Sequence, residues 1–345
     1  VPKIQLDGVD YEAQAKTSKF APARRAPGTV LGIADGPSPV GSTYWKGLFR
    51  CPREHALRNL VQLRWTRRRE ALDVGWLFHA GLETYYSTIL KHQQARDEAG
   101  AQQDDEYFFG ALPDAEAAAF TAVLDPLLHE EGYKDTIKTL ERTLGGYFDF
   151  YRRNDKWRVI AVEETLQVEE EYLGFPYSAR LDLIVEDGLR GGLWLVEHKT
   201  AAWISEEILT GYQLDLQILG QVWLYQQCVN AASYRSFRGV VINITTKHTK
   251  PKFERVDVCP STAHLELFVK TMKRWGQLKD ECERLDWPQA LGNCAGPTRG
   301  YTRCDYFDVC HGSPRDSVEQ LLTQDPPFGF FRAGDNDPVL VEDEW

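Results

Sequence analysis

The residues with the most chemistry in them lie in two short apolar segments. YSARLDLIVED at 177–187 carries Asp182, and LWLVEHKT at 193–200 carries Glu197 and Lys199. Side chains alternate faces along a strand, so Glu197 and Lys199 project to one side and His198 to the other. An ionisable pair at the end of a run as apolar as Leu-Trp-Leu-Val is costly to bury unless the site uses it. If the turn at 187–192 joins the two segments as neighbours, Asp182 and Glu197 converge on one point. Two converging carboxylates suit a hard divalent cation, Mg2+ or Mn2+, which also takes phosphate oxygens. A lysine beside them adds a compact positive charge that can orient water and offset charge developing on a phosphate. These are the parts for phosphodiester hydrolysis. The plain alternative is an ion pair at a sheet edge, because a bare Glu-x-Lys occurs by chance in most proteins. The Arg-Leu-Asp-Leu-Ile stretch at the right distance before it favours a site.

The elements that must position these groups are legible from periodicity. WRVIAVEETLQVE (157–169), the two segments above, FRGVVINITT (237–246) and FERVDV (253–258) read as strands separated by turn signals such as Gly174-Phe175-Pro176 and Gly191-Gly192. An amphipathic helix is expected from about Ser205 to Asn230, and another over 262–285. Before Arg153 the pattern is mostly helical. Leu72, Trp76, His79, Leu82, Tyr86 and Ile89 recur at three- and four-residue steps, and 111–129 and 133–153 read as two more helices. The expected organisation is a lead segment at 1–40, a helical region at 41–155, an α/β core at 156–260, a helix and cysteine-rich region at 261–312, and an acidic tail or edge-packing arm at 313–345. GPSPVGST at 36–43 has the glycine spacing of a phosphate loop, but Ser42 stands where the lysine belongs and no clear strand precedes it, so it is rejected as a nucleotide site.

The 345 residues carry a net charge of −11. That argues against a protein coating nucleic acid over its whole surface, but not against an enzyme with a locally basic groove. Basic clusters do occur, at Arg64 and Arg67 to Arg69 around Trp65 and at Lys247, Lys250 and Lys252, although each also reads as ordinary solvated surface. No apolar run is long enough to span a membrane, and the start lacks a basic-then-apolar signal. A cytoplasmic protein of a bacterial or phage-infected cell is the expectation. Seven cysteines are unevenly placed, with Cys51 near the front and Cys294, Cys304 and Cys310 close together. In an intracellular protein that clustering points to metal ligation before disulfides, and otherwise to buried free thiols. Cys228, Cys259 and Cys282 read as core or free thiols.

Taken in order, Gly75-Trp-Leu-Phe-His79, Arg180-Leu-Asp182, Glu197-His-Lys199 and Gln217-Ile-Leu-Gly-Gln221 resemble the PD-(D/E)xK nuclease superfamily, within it the RecB-like branch that includes CRISPR-associated exonucleases. The resemblance covers roughly residues 45–312. It implies a restriction-endonuclease-like mixed sheet flanked by helices, with an N-terminal helical insertion. It also implies a Mg2+- or Mn2+-dependent deoxyribonuclease, expected as an exonuclease in recombination, repair or phage DNA processing. Asp182, Glu197, Lys199 and Gln217 become the catalytic set, with Asp182, Glu197 and His79 at the metal. By itself His79, on an apolar helix face, reads as a core histidine; only the resemblance makes it a ligand. Ala179 replaces the family's glycine, and Gln221 its tyrosine. Gln213, Gln217, Gln221 and Tyr225 lie four apart on one helical face, so Gln221 or Tyr225 can fill that role. Glu163 resembles a recurrent acidic position but reads first as a solvent-facing strand residue. For the cysteines the resemblance implies a [4Fe–4S] cluster on Cys51, Cys294, Cys304 and Cys310, with zinc as the alternative; the interval from Cys294 to Cys304 is longer than the family's close pair.

Three functions compete at this stage. One is a DNA nuclease, and a second is a DNA- or protein-binding module of the same fold with a decayed site. The third is a nuclease subunit working with a recombination or helicase partner, since no motor is visible in the chain. Intact Asp182, Glu197 and Lys199 favour an active enzyme.

Overall fold

The computed structural model describes residues 40–65, 70–100, 112–128, 132–152, 155–229, 236–290, 293–294, 303–312, 317–327 and 330–332. The lead segment, Arg67 to Arg69 and most of the acidic end lie outside them. The described chain forms two compact units.

The first unit holds residues 70–168 and 178–265. Its centre is a five-stranded mixed sheet of β2 (Trp157–Val168), β3 (Tyr177–Asp187), β4 (Leu193–Ala201), β5 (Phe237–Thr246) and β6 (Phe253–Val258), adjacent in that order. β3 runs antiparallel to β4, β4 parallel to β5, and β5 antiparallel to β6. β5 is buried from Gly239 to Thr246, as expected of a strand covered on both faces. The parallel β4–β5 step needs a crossover, supplied by α7 (Glu206–Gly211) and α8 (Leu216–Cys228). A single helix was the expectation here. It is interrupted because the Asp215 carboxylate accepts from Gln217 N at 2.8 Å, capping a new helix start after a short 3-10 turn.

The β3–β4 turn sets the register. Asp187 Oδ1 accepts from the backbone N–H groups of Leu189 and Arg190, and Gly191 and Gly192 take left-handed φ values of 72° and 81°. At Gly192 a Cβ would stand 2.4 Å from the Ser236 carbonyl, so only glycine fits. The ladder pairs Leu183 with Val196, which leaves Asp182 and Glu197 at the next position of each strand.

Against this sheet pack α3 (Glu70–Glu98) and α5 (Lys134–Tyr151), and α4 (Leu112–Leu124) packs on those two helices. On α3, Leu82, Tyr86 and Ile89 of the expected face are buried, together with Leu77, Phe78 and Tyr85; Trp76 and His79 stay half-exposed, and the side chain of Leu72 is outside the described set. Each fully buried Leu or Phe contributes roughly 1.5–3 kcal/mol, so this stripe, not helix propensity, holds the 29-residue helix in place.

The second unit collects residues 40–65, 169–177 and the described residues after 265. It contains α1 (Ser42–Arg50), α2 (Pro52–Asn59), β1 (Leu63–Trp65), α6 (Glu170–Leu173), most of α9 (Thr262–Arg284), α10 (Phe307–Gly312), α11 (Val318–Thr323) and β7 (Phe330–Arg332). β7 pairs antiparallel with β1, so part of the stretch after Gly312 is an edge-packing arm. Ser317 starts α11 with a capping box closed by Gln320. No helix among the described residues is long and apolar enough to cross a membrane.

Candidate active site

Strand alternation delivers the geometry. Glu197 and Lys199 project together from β4, and Lys199 Nζ donates to Glu197 Oε1 at 2.5 Å and to Gln217 Oε1 at 2.9 Å. Gln217 Nε2 donates to the same Glu197 oxygen at 2.7 Å, and Gln221 Nε2 donates to the other at 2.6 Å. The first turns of α8 therefore fix both the acid and the base of the pair. Asp182, from β3, accepts from the His198 backbone N–H at 2.8 Å, and its Oδ2 lies 3.4 Å from His79 Nδ1. The His79 ring also reaches the His198 carbonyl. His198 thus brackets the site with its main chain while its ring points to the opposite face. There Asn243 Nδ2 lies 3.0 Å from His198 Nδ1 and donates to the Tyr147 hydroxyl.

Electrostatics divide the two carboxylates. Burial and the neighbouring Glu197 hold Asp182 well above the usual carboxylate range, with Lys199 opposing. Glu197 is buried too, but Lys199 and the hydrogen bonds from Gln221 and Lys199 overcome that cost and hold it below the ordinary value. Burial acts to lower the Lys199 pKa, yet Glu197 outweighs it and the ammonium stays charged. His79 is pushed down to about 4 by burial, opposed by Glu197, so its imidazole is neutral at pH 7 and keeps a lone pair to offer.

Glu163 departs from the solvent-facing expectation. Its side chain is 15% exposed, and its carboxylate meets Arg180 Nε at 2.7 Å. Burial first, then Asp182, raises its pKa to about 8. Glu163 has φ 51°, a left-handed residue inside β2, and such an irregularity re-aims its side chain. Two further groups near the site carried no sequence signal. Glu83 lies one turn after His79 on α3 and acts electrostatically on Glu163, and Tyr212, in the 3-10 turn, acts on Lys199. The Tyr225 ring packs on Phe237, with centroids 4.8 Å apart.

Gly75 explains itself in this setting. A Cβ there would meet Thr200 Oγ1 at 3.0 Å, so glycine lets α3 approach the end of β4 closely enough for His79, one turn on, to reach Asp182.

The four cysteines named above belong to the second unit. Burial pushes the Cys310 thiol up to about 12; Arg53 opposes, and Cys51, Cys304 and Cys294 each add to the rise, so those three lie within electrostatic reach of Cys310. The Cys304 backbone N–H donates to the Cys294 carbonyl at 2.8 Å. No cysteine is in a disulfide, and Cys282 is buried, Cys228 half-buried and Cys259 exposed. Among the described residues no three His, Cys, Asp or Glu side chains are closed into a ready metal cage, at either cluster. At the carboxylates the cause is visible: Lys199 and two glutamines engage the Glu197 oxygens.

A mixed sheet whose middle strands present Asp and Glu-x-Lys to a glutamine-bearing helix is the architecture of a restriction-endonuclease-like nuclease core. The sequence pattern of the PD-(D/E)XK nuclease superfamily matches residues 45–311, and the chain belongs to that superfamily. Among solved structures, a provisionally assigned exonuclease from Eubacterium rectale is similar at 14% identity, with 79% of this chain and 87% of that chain covered and a TM-score of 0.42. The protein SSO0001 is similar at 15% identity over 58% of this chain and 74% of that one, with a TM-score of 0.25. No curated protein matches the chain.

Proposed function

We propose that this nuclease is a Mg2+- or Mn2+-dependent deoxyribonuclease that works as an exonuclease in DNA recombination, repair or phage DNA processing. The observation that carries it is the convergence of Asp182, Glu197 and Lys199, with Gln217 hydrogen-bonded to both members of the Glu-Lys pair. The donor set fits a hard cation. Two carboxyl groups are buried side by side, one of them carrying a raised pKa that an added positive charge would relieve, and a neutral imidazole stands beside them. Asp182, Glu197 and His79 would hold the ion, which when bound acidifies a water and neutralises phosphate charge. The chain supplies the rest. Lys199 places a fixed positive charge where the attacking oxygen and the phosphate meet, Gln217 aims it, and Gln221 prevents Glu197 from turning away.

For the second unit we propose that Cys51, Cys294, Cys304 and Cys310 bind a [4Fe–4S] cluster, with zinc as the alternative. Burial and the three other cysteines favour the protonated form of Cys310, a cost that a bound cation would relieve, and a buried Arg53 offsets part of the negative charge of a thiolate cluster.

The test uses end-labelled linear DNA and closed circular DNA, each with Mn2+ and with chelator. Cleavage of the linear substrate alone, in Mn2+ alone, is expected, with a loss of about 10^2- to 10^3-fold in Lys199→Ala and Asp182→Asn, on the order of the loss when one key electrostatic group is removed. Undiminished cutting by either variant rejects the site.

A further inference from the structure

β5 is buried along its middle, yet an amide sits there. Asn243 stands between Ile242 and Ile244 and is 1% exposed. A polar group in such a place costs burial energy unless its hydrogen bonds are made and the arrangement is put to use. The register supplies its partners, because His198 of β4, Asn243 and Arg255 of β6 lie side by side across three strands. Arg255 Nε lies 3.4 Å from Asn243 Oδ1, and a guanidinium only donates, so the amide oxygen faces β6. Arg255 is itself held by a bidentate contact to Asp155 and lies over the Tyr151 and Trp157 rings, 3.6 Å and 3.8 Å from their centroids. The amide nitrogen must then face the other way. It donates to the Tyr147 hydroxyl at 2.8 Å and to His198 Nδ1 at 3.0 Å. A His198 Nδ1 that accepts leaves the ring proton on Nε2. Tyr86 covers the flat of that ring, stacked at 5.7 Å and 16°.

His198 also serves the site with its main chain. The β3–β4 register runs from Glu186 and Leu193 to Leu183 and Val196 and stops one position short of the carboxylates. Just beyond it the His198 N–H donates to Asp182 Oδ2 at 2.8 Å, and the His198 carbonyl receives His79. The two main-chain polar groups of a strand residue point to the same side, so both are engaged toward β3, and it is the ring that ties His198 to Asn243 of β5. We infer that Asn243 is a positioning residue for the nuclease site: its amide fixes the His198 ring, and the His198 peptide then holds the Asp182 carboxylate and the His79 imidazole at one spacing. Without that donor the ring turns, the peptide tilts with it, and the two groups lose their common anchor. This reading rests on the proposed metal-dependent nuclease and adds to it a residue on the face of the sheet away from Glu197 and Lys199.

The test compares two variants of the full chain. Asn243→Leu keeps a similar volume and removes the donor to His198, whereas Tyr147→Phe removes only the hydroxyl and leaves that donor in place. Both are expected to lower Tm. Only Asn243→Leu is expected to weaken Mn2+ binding, by about 10- to 100-fold, the usual effect of removing a group that orients a metal ligand. Binding is read on the DNA-free protein from the paramagnetic resonance of free Mn2+, counting the uptake that Asp182→Asn abolishes. The kcat of Asn243→Leu should fall by a similar factor with the KM for linear DNA unchanged. A folding defect alone would reduce the amount of active protein and leave the Mn2+ midpoint where it was. One measurement stands even if Asn243→Leu fails to fold. With 15N-labelled histidine the wild-type His198 ring should show the Nε2–H tautomer. Asn243→Asp, which keeps an acceptor for Arg255 but offers His198 no donor, should move that proton to Nδ1. A wild-type ring protonated on Nδ1 overturns the inference, as does a Mn2+ midpoint shifted as far in Tyr147→Phe as in Asn243→Leu. No Mn2+ uptake by the wild type overturns the metal-dependent nuclease and this reading together; wild-type uptake matched by Asn243→Leu overturns the positioning role alone.

Discussion

The decisive choices are made by single side chains around Glu197. Its two oxygens receive Lys199, Gln217 and Gln221, and the Gln221 amide is 2% exposed. Replacing Gln221 by leucine leaves a buried carboxylate oxygen without its donor, a penalty of about 1–3 kcal/mol, and frees Glu197 to turn. Gln221→Leu is therefore expected to lose 10- to 100-fold in cleavage and to raise the Mn2+ concentration needed, while Tyr225→Phe changes neither; a metal titration of both variants decides. The stripe of polar residues four apart was readable in the chain, and Gln217 with it. The choice between Gln221 and Tyr225 was not, because it depends on where α8 starts, and Asp215 sets that start. Acidic neighbours give a second prediction. The Glu163 pKa is raised from 4.5 to about 8, so the native state holds its proton more tightly than the unfolded chain does. Its contribution to stability is complete below about pH 4.5 and is lost as pH rises through 8. Asp182, also raised, acts in the same direction. His79, lowered to about 4, acts oppositely but only below pH 6.5. Between pH 6.5 and 8.5 the metal-free protein should thus melt at progressively lower temperature, and Glu163→Gln should flatten that decline. A Tm that rises over this window in chelator contradicts the assignment.

At the level of elements, the strands were nearly all written in alternation and turn chemistry. YSARLDLIVED, FRGVVINITT and FERVDV begin and end in the structure where their patterns do. What local pattern cannot encode is a departure from period two, and the left-handed Glu163 is such a departure. Nor does a helical stripe reveal how near a helix comes to a strand. Gly75 shows this, since its reason lies in Thr200, 125 positions away in the chain. Adding a methyl at Gly75 presses on Thr200 Oγ1 from 3.0 Å, and the relief is either a tilt of α3 or a rotation of Thr200. Overpacking of this sort costs typically 1–3 kcal/mol, and the tilt would carry His79 away from Asp182. Gly75→Ala is expected to lower cleavage more than it lowers Tm, and Thr200→Ala in the same chain to restore cleavage by removing the opposing atom. If the double variant is no more active than Gly75→Ala alone, close approach is not what glycine provides there.

For the whole molecule, the central fact is that residues distant in sequence share one unit. Cys51 precedes the sheet and Cys294, Cys304 and Cys310 follow it, yet all four belong to the second unit, and the other three each add to the raised pKa of Cys310. The clustering of cysteines pointed to metal ligation, and the grouping of Cys51 with the last three came only from the family resemblance, because loop closure over some 240 residues leaves no local trace. A cluster binding all four would fasten the front of the chain to its rear and stabilise only the folded form, since the unfolded chain cannot gather the ligands at once. The sheet of the first unit has its own core in β3, β4 and β5 and needs no such clasp. Removing one ligand should therefore unfasten one unit and spare the other. In Cys304→Ser, hydrogen exchange is expected to accelerate by an order of magnitude or more across 42–59 and 303–312, with the amides of 183–186 and 193–201 keeping their protection. The purified wild type should show visible absorption that the variant lacks if iron–sulfur is bound, and stoichiometric zinc without colour if it is not. Exchange that rises equally in both units would mean that the cysteines stabilise the protein as one cooperative body. Unchanged exchange in both would mean that they are only packed thiols.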